Sequence, residues 1–284
     1  RSIRIGVFPL GRNFNYEFAH SGTAGARTHY QFARVRNEEE VWGQIESVLS
    51  GCSRGAGGRG PVSIVVFPEL AVTPSLKARI SRWLRTENRG DAILLVFAGT
   101  FHRTDMSASN TPVNACPVLQ FDGRRLPGID ARGPGATWVQ IKLNAYRATK
   151  QNLDQLRASE DAPRFQEFLE LFPDGTEQAV EHIQLGNELV VVDLPIGRVA
   201  VSICLDFIAE EDVRLLHDLG VGIVFAPAMT PTTSDFMVTS RRLGRSHAAT
   251  FCANSAWIVP QGRAAHGTSY AYLPVRGGPC RHTH

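Results

Sequence analysis

The chain has 284 residues, of which 43% are hydrophobic and 20% are charged. This composition excludes disordered, collagen-like and coiled-coil proteins. Thirty basic and 27 acidic residues give a net charge of +3 with neutral histidines, and so small an excess does not indicate a nucleic-acid partner. Because α/β folds of this size commonly close around one core, we expect a single domain over residues 1–284.

The sequence contains neither a membrane segment nor a regular cysteine pattern. No stretch approaches the ~20 apolar residues of a membrane span, and the basic first residues lead into a strand-like segment without a signal-peptide core. We therefore expect a soluble, cytoplasmic protein without a membrane partner. The five cysteines form no C-x-x-C pair, so we predict no disulfide framework, no metal site and no cofactor.

Short apolar runs bounded by turn residues recur along the chain, and segments with helical spacing of apolar residues lie between several of them. Continuous apolar runs are typical of strands buried on both faces, and the alternation indicates an α/β fold with layered sheets and helices outside. The predicted strands are residues 3–8, 62–67, 92–98, 118–121, 138–143, 189–194, 199–204, 223–226 and 257–259. The predicted helices are residues 38–49, 75–84, 162–171, 210–219 and 236–252.

Three segments do not fit this alternation. Residues 11–36 are polar and contain glycine, and residues 51–61 hold five glycines, so we interpret the first as irregular and the second as a surface loop. Residues 146–187 mix helical spacing with prolines and a glycine. Since strands resume afterwards, we interpret this third segment as an insertion rather than a linker.

Three predicted strands end on polar residues that a buried strand does not need. Glu69 follows the strand at 62–67, Lys142 lies at the end of the strand at 138–143, and Cys204 with Asp206 ends the strand at 199–204. Ligand sites in α/β sheets form beyond the carboxyl ends of strands, so these ends are expected to converge on one pocket.

Together these residues permit nucleophilic attack on a carbonyl or nitrile carbon. The thiol is the nucleophile, a carboxylate can move its proton, and a lysine can stabilise an oxyanion. Taken singly, each has an ordinary structural explanation: Cys204 as core, Glu69 as a helix start and Lys142 as a solvent-facing charge. The three in combination favour chemistry.

The same residues make the chain resemble the nitrilase, or carbon–nitrogen hydrolase, superfamily. The resemblance covers most of the chain in the expected order. It is carried by residues 65–70 (VVFPEL), 97–100 (FAGT), 141–143 (IKL), 201–206 (VSICLD), 225–228 (FAPA), 245–257 with Asn254, and 267–269 (GTS).

The resemblance implies a four-layer αββα sandwich and a catalytic triad of Glu69, Lys142 and Cys204. In that family the cysteine attacks an amide or nitrile, the glutamate acts as base and then as acid, and the lysine supports the tetrahedral intermediate. The backbone N–H of Leu205 would be a second oxyanion donor. We also expect Lys142 to favour the thiolate of Cys204, and Cys52 to be an exposed loop thiol.

The chain also departs from the family pattern. The separation between Lys142 and Cys204 is long for the family, because of the segment 146–187. The substrate therefore cannot be inferred from other family members. Many members place a second glutamate after the lysine, and the candidates here are Glu160 and, behind it, Glu167. Family members usually form dimers, so we expect at least a homodimer, with helices near 210–219 and 236–252 at the interface.

The leading interpretation is therefore an amidase-type hydrolase of non-peptide carbon–nitrogen bonds with a cysteine thioester intermediate. A nitrilase or an N-acyltransferase would need the same triad. The alternative from another class is a binding or regulatory module of the same fold within a larger protein, such as a defence-associated reverse transcriptase. The chain begins without a methionine, which favours this alternative, whereas the intact triad argues against an inactive module.

Overall fold

The structure is a computed structural model that describes residues 3–10, 13–55, 60–88, 92–104, 111–120, 138–258, 269–274 and 281–283. Within these residues the chain forms three sheets and six α-helices. No helix among them is long and apolar enough to cross a membrane. The helices are α1 (Glu38–Arg54), α2 (Pro74–Thr86), α3 (Lys150–Arg157), α4 (Gln166–Glu170), α5 (Glu210–Asp218) and α6 (Ser234–Arg245).

The first sheet carries two of the predicted strand ends. Its strands are β1 (Ile5–Val7), β4 (Ile64–Val66), β5 (Leu95–Phe97), β6 (Phe101–Arg103), β7 (Val113–Gln120) and β8 (Trp138–Ile141). Strands β1, β4 and β5 are parallel, whereas β7 runs antiparallel to β5, β6 and β8. Glu69 and Lys142 therefore follow two strands of the same sheet, β4 and β8.

The second sheet carries the third strand end, since Cys204 lies three residues after β12. Its strands follow chain order, and β12, β13 and β14 are parallel. They are β11 (Val191–Leu194), β12 (Gly197–Val201), β13 (Ile223–Ala228), β14 (Ala249–Asn254), β15 (Tyr270–Leu273) and β16 (Arg281–Thr283).

These two sheets pack face to face with helices outside. Ile64 and Val66 of β4 lie in the core shared with the second sheet, whereas Val65 packs on the other face with α1 and α2. Across the interface the rings of Phe97 and Phe225 stack with centroids 4.0 Å apart. On the far side of the second sheet α6 contacts β14 and β15, and α5 contacts α6. The layers therefore run helix, sheet, sheet, helix, which confirms the predicted α/β architecture.

A third sheet joins the segments that we expected to be irregular or inserted. It has the order β2-β3-β10-β9, and β10 is parallel to β3. Its strands are β2 (Tyr16–Ala24), β3 (Arg27–Val35), β9 (Arg147–Thr149) and β10 (Gln178–Glu181). The expectation that residues 11–36 are irregular is therefore wrong: polar side chains alternate with buried ones along β3, the pattern of a half-exposed strand.

Other element boundaries also differ from the predictions. Residues 51–54 continue α1 rather than forming a loop, and Cys52 is buried at 4% exposure. The expected helix over residues 236–252 is two elements, because α6 ends at Arg245 and the following apolar residues form β14. Trp257 lies in a turn instead of a strand. Residue 259 and residues 267 and 268 of the GTS motif lie outside the described residues.

Candidate active site

The loop after β4 presents Glu69 from a sharply turned backbone. Leu70 has a left-handed φ of 58°, and its N–H donates to Oγ1 of Thr100 at 3.1 Å. Gly99 also has a positive φ, of 67°, and a Cβ on it would lie 2.2 Å from the carbonyl oxygen of Pro68. Only glycine permits this approach. The FAGT motif therefore supports the glutamate loop, and Glu69 itself is 2% exposed.

Lys142 follows β8 and is held by its backbone on both sides. Its N–H donates to the carbonyl of Asn114 at 2.8 Å, and its own carbonyl accepts from the N–H of Gly186 at 2.9 Å. The side chain is 1% exposed, and Nζ lies 2.7 Å from Oε1 of Glu69 and 2.8 Å from Oε2 of Glu181. A buried ammonium is thus clamped between two carboxylates, which is the pairing that a buried charge requires.

Cys204 lies in the loop that follows β12 of the second sheet. It begins the 3-10 helix Cys204–Phe207 with a left-handed φ of 50°, which is uncommon for a residue with a side chain and marks a constrained position. The side chain is 7% exposed. Leu205 follows in the first turn of this helix, where N–H groups have no partner within the helix and can face a developing oxyanion.

Asp206 ties the cysteine turn to the lysine loop. Its carboxylate accepts from the N–H of Leu143 at 3.0 Å, and from the N–H and Nδ2 of Asn144 at 2.8 and 3.1 Å. Burial raises the pKa of Asp206 to about 7, although these bonds oppose that effect. The residue therefore fixes the position of Lys142 relative to Cys204 through the backbone.

Glu181 is the second glutamate of the site, and both sequence candidates for this role are wrong. Glu160 is exposed, and Glu167 forms a surface ion pair with Arg36 at 2.7 Å. Glu181 instead ends β10 at 3% exposure, beside Lys142. The segment expected as an insertion thus carries a buried carboxylate into the site.

Both carboxylate oxygens of Glu181 accept hydrogen bonds within the site. Oε1 accepts from Nε2 of His102 and Nδ2 of Asn114, both at 2.9 Å. Oε2 accepts from Nζ of Lys142 at 2.8 Å and from the N–H of Tyr146 at 2.9 Å. Four donors, one of which is the Lys142 ammonium, hold this carboxylate ionised, so Glu181 fixes the lysine rather than moving protons.

His102 reaches Glu181 in one defined tautomer. Its Nδ1 accepts a hydrogen bond from the backbone N–H of Phe32 at 3.1 Å and therefore carries no proton. The proton lies on Nε2, which donates to Glu181. His102 lies on β6, and its side chain is 2% exposed.

The charges of the site shift one another. Burial alone would lower the pKa of Lys142, but Glu181 and Glu69 raise it well above its ordinary value. Burial would raise the pKa of Glu181, but Lys142 and His102 hold it well below its usual range. The lysine therefore stays positive and Glu181 negative throughout the physiological pH range.

The thiol behaves differently from our expectation. Burial, and then the negative charge of Glu69, raise the pKa of Cys204 well above that of an ordinary thiol, and the opposing charge of Lys142 does not offset them. Lys142 is already paired with two carboxylates, so little of its charge is left to favour a thiolate. Cys204 rests as a neutral thiol whose Sγ donates to the carbonyl oxygen of Met229 at 4.0 Å, and a thiol in this state needs a base to become a nucleophile.

A cavity of about 460 Å³ opens onto the three predicted residues. Glu69, Lys142 and Cys204 line it together with Glu181 and Leu205, so the structure brings the predicted triad and Leu205 to one place. Much of the rest of the wall comes from residues 146–181, which confines any substrate from that side. In the described part of the chain, no group of His, Cys, Asp and Glu side chains has the arrangement of a metal site.

Comparison with known proteins supplies a fold but no close relative. No protein-family model matches the sequence, and no curated protein matches it either. An amidase from Nesterenkonia sp. is similar in structure over 94% of this chain and 85% of its own, with 11% identity and a TM-score of 0.53.

Two further structures are similar over 84% of this chain. A variant of the Nesterenkonia amidase, which shows covalent addition of the acetamide moiety of fluoroacetamide at its active-site cysteine, is covered over 78% at 11% identity and a TM-score of 0.53. Saccharomyces cerevisiae Nit3, a member of branch 10 of the nitrilase superfamily, is covered over 76% at 13% identity and a TM-score of 0.46. The likeness to the amidase confirms that the chain has the carbon–nitrogen hydrolase, or nitrilase, fold.

Proposed function

We propose that the chain hydrolyses a non-peptide carbon–nitrogen bond of an amide through a thioester on Cys204. The observation that carries this proposal is the convergence of Glu69, Lys142 and Cys204 on one cavity, with Nζ of Lys142 2.7 Å from Oε1 of Glu69. A thiol, a carboxylate and an ammonium in this arrangement are the minimum set for acyl transfer from nitrogen to sulfur. A merely structural cluster would not place all three around an open cavity.

In the first half-reaction Glu69 takes the proton from Sγ of Cys204 as the sulfur attacks the amide carbon. Nζ of Lys142 and the N–H of Leu205 stabilise the oxyanion that forms on the amide oxygen. Glu69 then gives its proton to the leaving nitrogen, so the C–N bond breaks, ammonia leaves and an acyl thioester remains. In the second half-reaction Glu69 removes a proton from water, which attacks the thioester, and the carboxylic acid departs as the thiol regains its proton.

The two glutamates divide these tasks because their surroundings differ. Glu181 accepts four hydrogen bonds and is fully occupied. Glu69 accepts from Lys142 and Asn114 through Oε1, and it lines the cavity with Cys204, close enough that its charge raises the pKa of the thiol. It is therefore the carboxylate that can exchange a proton with Cys204, while Glu181 holds the lysine in place.

The variants of this proposal share the same first intermediate. A nitrile would enter by attack at its carbon and an acyltransferase would replace water with a second nucleophile, so neither changes the roles of the three residues. A module that only binds a partner would keep the fold without needing the proton transfer between Glu69 and Cys204. Turnover of a small molecule separates these interpretations.

The test is ammonia release from a panel of uncharged amides and nitriles by the purified chain. Cys204→Ala should abolish release, and Glu69→Gln should lower it by at least ~10²-fold, the effect of losing a general base. Glutamine keeps an oxygen that can accept from Lys142 and Asn114, so folding is preserved. The matched control is Glu167→Gln, since Glu167 lies on the surface paired with Arg36, and it should leave turnover unchanged. If no amide or nitrile releases ammonia, the binding-module interpretation replaces this one, and if Cys204→Ala retains activity, the thioester mechanism is wrong.

A further inference from the structure

Five aromatic side chains contribute to the wall of the cavity. We name as the aromatic wall Tyr30, Phe32, Phe165, Phe168 and Trp257, all of which line the same cavity as Cys204. Tyr30 and Phe168 meet edge to face at 5.1 Å, and Phe165 and Trp257 do so at 4.9 Å. Such edge-to-face contacts fix the rings in place, so the wall is a formed surface rather than a set of mobile side chains.

The size of the cavity exceeds what a small amide can fill. Its volume of about 460 Å³ is that of a site for a molecule with a ring or a branched chain. A water molecule accounts for about 30 Å³, and acetamide is only a few times larger. With acetamide bound at Cys204, the rest of the cavity would hold water against the exposed edges of these aromatic rings, which is unfavourable.

The charges of the cavity point to an uncharged acyl group. Lys142 is paired with Glu69 and Glu181, and its third N–H is assigned to the oxyanion at the reacting carbon, so no donor of this ammonium is left for a carboxylate elsewhere on the acyl group. The other charged lining residues in the described part of the chain are Arg147 and Asp235, which are both exposed and opposite in sign. A charged acyl group next to the aromatic wall would be buried without a partner, at a large cost.

We propose that the acyl part of the substrate is a bulky, uncharged, apolar group, aryl-alkyl or branched alkyl, that packs against the aromatic wall. This inference rests on the proposed function, because it assigns the acyl side of the thioester on Cys204. The amide carbon lies at Sγ, between Lys142 and the N–H of Leu205, and the apolar group extends along the wall.

The test compares 3-phenylpropionamide with propionamide, which lacks only the phenyl ring, and with succinamate, which carries a carboxylate instead. Burying a phenyl ring should raise kcat/KM about 10- to 100-fold over propionamide, and succinamate should be the poorest substrate. Phe168→Ala should remove at least ~10-fold of the preference for the phenyl compound. The matched control is Phe18→Ala: Phe18 is also half-buried and contacts Phe168 at 5.2 Å, but it does not line this cavity. It should leave the preference unchanged.

A binding measurement separates this inference from the proposed function. Cys204→Ala keeps the cavity but cannot form a thioester, so calorimetry on this variant should show tighter binding of 3-phenylpropionamide than of propionamide by the same factor. Selective binding without turnover of any amide would overturn the hydrolase and leave the apolar pocket standing. Turnover of propionamide or succinamate at least as fast as the phenyl compound would overturn the apolar acyl group and leave the hydrolase standing. Neither turnover nor selective binding would overturn both.

Discussion

Nε2 of His102 lies 2.9 Å from Oε1 of Glu181, and both side chains are buried. Because the backbone N–H of Phe32 occupies Nδ1, the histidine can only donate to this carboxylate. Glu181 in turn holds Nζ of Lys142. His102 is therefore a positioning residue, which acts on the reaction through Glu181 and Lys142.

Replacing His102 separates this role from simple packing. His102→Phe keeps a ring of similar size but removes the donor, so we expect kcat to fall by about 10- to 100-fold with little change in KM. Without the bond the pKa of Glu181 rises, and the acid limb of the kcat–pH profile should move to higher pH. His102→Gln restores a donor near Nε2 and should recover most of the activity.

The control for this experiment is His29→Phe. His29 alternates with Tyr30 and Phe32 along β3, so it lies on the opposite face of that strand, where it contacts the ring of His182. This substitution should leave kcat and the pH profile unchanged. Near-normal kcat in His102→Phe would show that the histidine matters only for packing, and a loss in His102→Gln as large as that in His102→Phe would contradict the role of the donor.

Removing Lys142 should destabilise the protein, because its ammonium pairs with two buried carboxylates. Lys142→Ala leaves Glu69 and Glu181 buried without a cation, so we expect the free energy of unfolding at pH 7.5 to drop by about 3–5 kcal/mol. In the variant, burial raises the pKa values of the unpaired carboxylates above those of the unfolded chain. The loss of stability is therefore present above the raised pKa values, and it decreases as the carboxylates gain protons in acid. In the parent, the lowered pKa of Glu181 gives stability that is present at neutral pH and lost in acid.

The difference in stability between the two proteins should therefore shrink steadily as urea unfolding is measured from pH 7.5 down to pH 4.5. Lys150→Ala is the control, because Lys150 is half-exposed and lies 3.6 Å from Glu177 at the surface. Its effect should stay within about 0.5 kcal/mol. A deficit in Lys142→Ala that does not change with pH would contradict the assigned charges.

The reactivity of Cys204 should depend on Glu69 in a way that distinguishes a base from a nearby charge. If Glu69 only repels the thiolate, Glu69→Gln lowers the pKa of the thiol and speeds alkylation. If Glu69 takes the proton, the same substitution slows alkylation. We expect iodoacetamide at pH 7 to label Cys204 at least ~10-fold more slowly in Glu69→Gln, as measured by peptide mapping.

The other described cysteines provide an internal reference. Burial raises the pKa of Cys52 to about 11 and that of Cys116 to about 12, and it raises that of Cys252 as well. Their labelling should be slow and identical in both proteins, whereas Cys280 lies outside the described residues. Faster labelling of Cys204 in Glu69→Gln would remove Glu69 as the base.

Much of the site could be predicted because a polar residue at the end of an apolar strand is conspicuous. Glu69 and Cys204 follow strands whose last residues are buried, and Lys142 follows the half-buried β8. Asn114 carried a similar signal, since it is a polar residue followed by five apolar residues in β7, and it bridges both glutamates.

Glu181 could not be found in this way because its strand belongs to a sheet that the sequence pattern does not predict. β10 is four residues long and pairs with β3, about 150 residues earlier in the chain. The expected helix over 236–252 failed for another reason. The four residues from Gly244 to His247 that separate the apolar residues of α6 from those before β14 amount to about one helical turn, so spacing alone does not mark the boundary.

Association is proposed to use the outer helix layer, where α5 and α6 carry exposed apolar residues. Leu215 is 41% exposed and Val238 is 55% exposed. We expect a dimer at micromolar concentration in light scattering, and Val238→Glu should shift it towards the monomer by placing charge in an apolar contact. Leu185→Glu is the control, because Leu185 is equally exposed, at 47%, in the loop before β11. A monomeric parent, or equal effects of the two variants, would remove this interface.

The most direct test of the account is the mass of the protein during turnover. The chain is mixed with 3-phenylpropionamide, quenched in acid after milliseconds to seconds, and measured intact and after digestion. We predict a protein heavier by one acyl group less one hydrogen, with the addition on the peptide that contains Cys204, and its disappearance once the amide is consumed. Ammonia release without any such adduct, or an adduct on another cysteine, would contradict the thioester mechanism.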